Sequence, residues 1–140
     1  MRKMFAIPLL ATLIAASPAP PRVEVATGDW SQLPYMPLIG YSHLNSSIMS
    51  KVYEIGRQHR CKLPGQFGSH IDMSVSFAVQ FTPEGKLARL LLPPLNCPEA
   101  ESWLGGTLVQ SIEKGDYRPQ AQNLNLEGWY RGEINFYYEG

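Results

Sequence analysis

The residues of this chain that could do chemistry are Cys61 and Cys97, the histidines His43, His59 and His70, and the carboxylates Asp72, Glu99 and Glu101. The two cysteines stand far apart, without the C-x-x-C spacing and nearby base that a redox-active pair needs, so a structural disulfide between Cys61 and Cys97 is expected. Closing a loop of that length stabilises by about 4 kcal/mol in the chain-entropy view. The histidines are scattered, with no H-x-x-x-H pair and no carboxylate cluster beside them, and no metal site is expected. Nucleophile-elbow, zinc-protease, phosphate-loop and dinucleotide motifs are absent. The expectation is thus no catalytic residue and no cofactor. The alternative is a small secreted hydrolase or cell-wall enzyme, which would need a pocket joining Asp72, Glu99, Glu101 or the histidines.

The other chemistry on offer is that of a binding surface. Residues 129–139 alternate, with Tyr130, Gly132, Ile134, Phe136 and Tyr138 on one face and Trp129, Arg131, Glu133, Asn135 and Tyr137 on the other. This period of two is that of a strand buried on one side. The outward row, Trp129, Arg131, Glu133, Asn135 and Tyr137, is the expected partner-binding set, because large outward aromatics give contact area at little rotamer cost.

That strand needs a scaffold, and the rest of the chain supplies one. Residues 71–82 alternate in the same way, with Ile71, Met73, Val75, Phe77, Val79 and Phe81 apolar. The turn Thr82-Pro83-Glu84-Gly85-Lys86 leads into a second apolar strand, 87–92, whose two apolar faces suit a centrally paired strand. A first helix is expected over about 47–60, with Ile48, Val52, Ile55 and His59 on one face and N-caps from Asn45-Ser46-Ser47. A second helix opens at Asn96-Cys97-Pro98-Glu99 as a capping box and stops at Lys114-Gly115, although Gly105-Gly106 falls in its middle. The expected order is helix-strand-strand-helix-strand. That is an α+β fold with a small antiparallel three-stranded sheet and two helices on one face.

The N-terminus reads as a targeting segment. Met1-Arg2-Lys3 is basic, residues 4–16 are apolar or small, and the run is too short for a good transmembrane helix, which needs about 20 apolar residues. The expected organisation is a signal peptide over 1–16, a Pro-rich irregular arm over 17–44 and one domain over 45–140, in a periplasmic protein. An uncleaved N-terminal tether is the alternative. At 44% hydrophobic and 17% charged the composition is globular, and twelve basic against twelve acidic residues leave no basic excess for nucleic acid.

The stretch Val75-Ser76-Phe77-Ala78-Val79-Gln80-Phe81-Thr82-Pro83-Glu84-Gly85-Lys86-Leu87 resembles the strand, turn and second strand of the C-terminal domain of TonB-type proteins. Gly115-Asp116-Tyr117-Arg118-Pro119 and Ile134-Asn135-Phe136 are similar to later segments of that domain. The resemblance covers roughly the last half of the chain. It implies that the last strand offers its edge, at Arg131, Glu133, Asn135 and Tyr137, to an extended peptide of an outer-membrane receptor; pairing of the same edge with an envelope protein or a second copy of the chain is the broader expectation. Family members that transmit energy carry a membrane anchor and a long proline-rich spacer. Here both corresponding stretches are short, so the resemblance implies docking rather than energy transduction. A third outcome is that the arm itself covers this edge.

Overall fold

A computed structural model describes residues 20–36, 44–118 and 128–139. The expected signal peptide, the rest of the arm including His43, and the side chains of Asn45 and Ser46 lie outside them. The described elements are β1 (Arg22–Val25), α1 (Leu44–Gln58), β2 (Gln66–Phe67), β3 (His70–Phe81), β4 (Leu87–Leu92), α2 (Pro98–Glu113) and β5 (Trp129–Glu139). The chain is α+β, and both helices share one core with a single face of the sheet.

The three expected strands form, antiparallel and in the order β4-β3-β5, but the sheet is larger and mixed. β1 runs parallel to β4, with Val23 opposite Leu90 and Val25 opposite Leu92. It comes from the stretch expected to be irregular. Four residues after Pro20-Pro21 are too few for a period to stand out, yet the two-sided apolarity of β4 suits a second neighbour, and β1 is that neighbour. β2 arises in the loop before β3 and pairs with its first two residues. β5 already occupies one edge of β3 there, so β2 sits on the opposite edge.

The β3–β4 hairpin closes as its turn residues require. Thr82 N–H donates to Lys86 O at 2.7 Å and Gly85 N–H to Thr82 O at 2.8 Å. Gly85 takes φ +81°, which a side chain would disfavour. α2 begins differently from expectation. Its N-cap is Cys97, which has no side-chain cap bond, and Asn96 before it takes φ +60°. The carboxylate of Glu101 instead accepts from Leu95 N–H at 2.8 Å, tying the helix back to its approach segment. The expected stop holds, with Gly115 at φ +87° and its N–H on Ile112 O at 3.0 Å.

α1 packs on β5, α2 on β4 and β1, and the helices touch each other. The expected faces are buried: Ile48, Val52 and Ile55 on α1, and Ala100, Leu104, Leu108 and Ile112 on α2. His59, expected on the α1 face, lies beyond the helix end and is exposed. The Cys61–Cys97 disulfide forms as expected, its Cα atoms 5.5 Å apart, and joins the end of α1 to the start of α2. Beneath the sheet, Tyr117 is buried against Phe77 with ring centroids 5.5 Å apart. Burial, then the neighbouring Tyr35 and Asp116, push its hydroxyl up to about 12.

The glycine pair inside α2 has two different roles. A Cβ on Gly105 would stand 2.6 Å from Val23 Cγ1 and 3.3 Å from Leu92 Cδ1, so its bareness lets α2 approach β1 and β4. Gly106 faces open space. Gly106→Ala should therefore raise stability by about 1 kcal/mol, the helix-propensity gain. Gly105→Ala should lower it by about 1–2 kcal/mol as crowding outweighs the same gain. Urea midpoints of the two variants should fall on opposite sides of the parent, and two shifts of the same sign would refute the assignment.

Candidate binding edge

β5 runs the length of β3, from Trp129 opposite Gln80 to Glu139 opposite His70. Its even residues point into the core and its odd residues outward, so the five residues singled out in the sequence form one row. Trp129 and Arg131 are half-buried, whereas Glu133, Asn135 and Tyr137 are exposed.

The outward row also supplies the free edge. Arg131 N–H donates to Pro34 O at 2.9 Å, and Arg131 O accepts from Met36 N–H at 2.7 Å. Alternate residues of a regular antiparallel strand turn both backbone groups to the same side. The N–H and C=O of Glu133, Asn135 and Tyr137 therefore point away from β3 as well. Among the described residues no backbone group meets them.

The arm is thus a strand-like visitor at one position of this edge. Tyr35 and Arg131 form a parallel bridge. The Arg131 Nε–H donates to Leu33 O at 3.1 Å, and the guanidinium lies 5.1 Å from the Tyr35 ring centroid. Met36 turns inward and is fully buried. Arg131 serves as the clamp of the arm, a role that its place in the alternation does not reveal. Trp129 lies beside Arg89, whose guanidinium is 5.3 Å from the ring centroid and 3.1 Å from the Glu24 carboxylate. The outward half of β5 therefore divides, with two residues engaged inside the molecule and three presented to solvent.

The presented half carries its own polar lattice. Ser74 Oγ–H donates to Asn135 Oδ1 at 2.6 Å, and Tyr137 O–H donates to Glu139 Oε1 at 2.8 Å. That hydrogen bond, then the charge of Glu139, raises the Tyr137 hydroxyl above its ordinary range. The His70 ring meets Tyr137 edge-on at 5.0 Å, and Phe67, 75% exposed, stands opposite His70 on the same face. His70 and Tyr137 meet at the far end of β5, whereas Phe67 lies on the other side of β3, away from the free edge. Phe67 falls in a glycine-flanked loop with no alternation to mark it, so no pattern in the sequence points to it.

The residues that an enzyme would need are divided. Asp72 and His70 lie on the outward sheet face, Glu101 is held by Leu95 N–H, and, among the described residues of this set, only His59 and Glu99 meet, with Nδ1 3.4 Å from Oε1. Those two line a shallow groove of about 600 Å³ between the helices, together with Lys51, Ser102 and Trp103. No protein-family model, curated protein or solved structure matches this chain. No helix among the described residues is long and apolar enough to cross a membrane.

Proposed function

We propose that this is an exported, non-enzymatic domain of the cell envelope that binds an extended segment of another envelope protein as an added strand on β5. One observation carries the reading. The edge already pairs with an extended segment at Arg131 and continues through Glu133, Asn135 and Tyr137 with outward backbone groups that no described backbone group meets. An unpaired edge of this kind is a template for a further strand, with main-chain bonds giving affinity and flanking side chains giving selectivity. Tyr137 is the exposed aromatic that flanks this edge. The disulfide fits an oxidising compartment, and the signal-like residues 1–16 support the reading of a periplasmic location. The TonB-like motifs of the β3–β4 hairpin and of β5 support the same use of the last strand.

A photo-reactive residue at Tyr137 should cross-link to another envelope protein, while one at the exposed helix position Glu113 should not. Asn135→Pro in the Tyr137-labelled chain should abolish the adduct. The Asn135 N–H points away from β3, so proline removes an edge donor without removing a bond to β3. An adduct that survives Asn135→Pro in a protein with unchanged melting temperature refutes strand addition. A self-adduct makes the edge a dimer interface. No adduct favours a second reading, in which the arm at Arg131 marks an edge reserved for the chain itself.

A further inference from the structure

We propose that the Cys61–Cys97 end of the molecule is a binding site for a thiophilic divalent cation, of the zinc class, in the reduced protein. The inference is independent of the strand-pairing reading, because it concerns the junction of the two helices.

Four donor-bearing residues converge there in two short motifs, His59-x-Cys61 and Cys97-x-Glu99. The two Sγ atoms and a carboxylate oxygen of Glu99 all lie within 4.8 Å of one another. Glu99 bridges the group: Oε2 is 3.8 Å from Cys97 Sγ, and Oε1 is 3.4 Å from His59 Nδ1. Zinc holds sulfur at about 2.3 Å and nitrogen or oxygen at about 2.0–2.2 Å, so tetrahedral donors stand roughly 3.3–3.8 Å apart. The contact of Glu99 Oε2 with Cys97 Sγ already has that spacing, and His59, held by the other carboxylate oxygen, is the fourth donor beside two thiolates and one carboxylate once its ring turns to the sulfurs. The side chain of Glu99 gains nothing from the disulfide itself. A disulfide sulfur has no proton to donate, whereas a thiol or a cation would use the carboxylate directly. Cys97 is fully buried, while His59 and Glu99 are nearly half-exposed and line the inter-helix groove.

The chemistry balances with a dithiol reductant. One reductant thiolate attacks a sulfur of the disulfide, the S–S bond breaks, and the second thiol resolves the mixed disulfide. The reductant leaves as its own disulfide, oxidised by two electrons, and Cys61 and Cys97 are left as thiols. The cation then displaces two protons and binds two thiolates.

Cobalt(II) is the probe, because thiolate-to-cobalt charge-transfer bands count sulfur ligands and ligand-field bands report tetrahedral geometry. The purified protein is reduced with a phosphine, which becomes the phosphine oxide, and titrated without air. The expected result is one tetrahedral cobalt per chain with thiolate bands, displaced by zinc and absent from the oxidised protein. Glu99→Ala and His59→Ala should each weaken binding at least tenfold and alter the ligand-field bands. Reduced protein without thiolate bands overturns the proposal, as do bands indifferent to both substitutions. If reduction unfolds the chain, cation should restore its circular dichroism, and failure to do so also overturns the site.

Discussion

Replacing Cys61 and Cys97 together by alanine should lower the stability of the folded domain by about 4 kcal/mol. The two residues are 36 apart in sequence, and their Cα atoms are 5.5 Å apart, within the usual span of a disulfide. The cross-link acts on the unfolded chain by removing conformations in which the end of α1 and the start of α2 are remote. The enclosed stretch contains β3 and β4, so it constrains the centre of the sheet as well as the helix junction. Buried Cys97 also loses its sulfur in the variant, which leaves a small void in the core. Urea denaturation of the oxidised parent and the double variant measures the difference. A loss below about 1 kcal/mol would mean that the core holds the helix junction without the bridge, and that reduction leaves the fold intact. A loss near the expected value would make the cation at the same cysteines a second way of closing the same loop.

The elements most legible in the sequence were those with a long, regular period. The alternation of residues 71–82 and 129–139 and the two-faced apolarity of 87–92 each became a strand within one residue of expectation. The Lys114-Gly115 stop likewise needed only local chemistry. What stayed hidden depends on neighbours. β1 has four residues, and its parallel pairing with β4 is a long-range contact with no local signature. At the start of α2, Glu101 rather than an Asn96–Glu99 box satisfies the approach segment, a choice made by the path of the chain after Pro93-Pro94. The outward row of β5 was visible as a row. That Arg131 would clamp Leu33, Tyr35 and Met36 was not, because the partners lie about a hundred residues away and their own stretch has no period. His59 and Glu99 were separate surface residues until the disulfide brought their neighbours together.

Phe77→Ala should cost about 3–5 kcal/mol, the upper range for a buried aromatic. Phe77 is fully buried and lies opposite Gly132 in the β3–β5 register. Its ring lies over the bare Cα of Gly132, where any Cβ would enter the ring, and it meets Tyr117 edge-on at 5.5 Å. Aromatic side chain and cross-strand glycine therefore form a matched pair, in which the missing side chain makes the space the ring fills. Gly132→Ala alone should cost about 1–3 kcal/mol, because the ring must leave its position and the core has no free volume to receive it. In the Phe77→Ala background the same substitution should cost far less, since the new methyl enters space that the ring has vacated. A double-mutant cycle by denaturation measures the coupling. Additivity within about 0.5 kcal/mol would show that ring and glycine do not share one space. The pair also bears on binding. Gly132 sits between Arg131, which holds the arm, and Glu133, the first outward residue with no described backbone partner. Pushing β5 off Phe77 displaces both, so Gly132→Ala should weaken cross-linking at Tyr137 even though residue 132 faces the core.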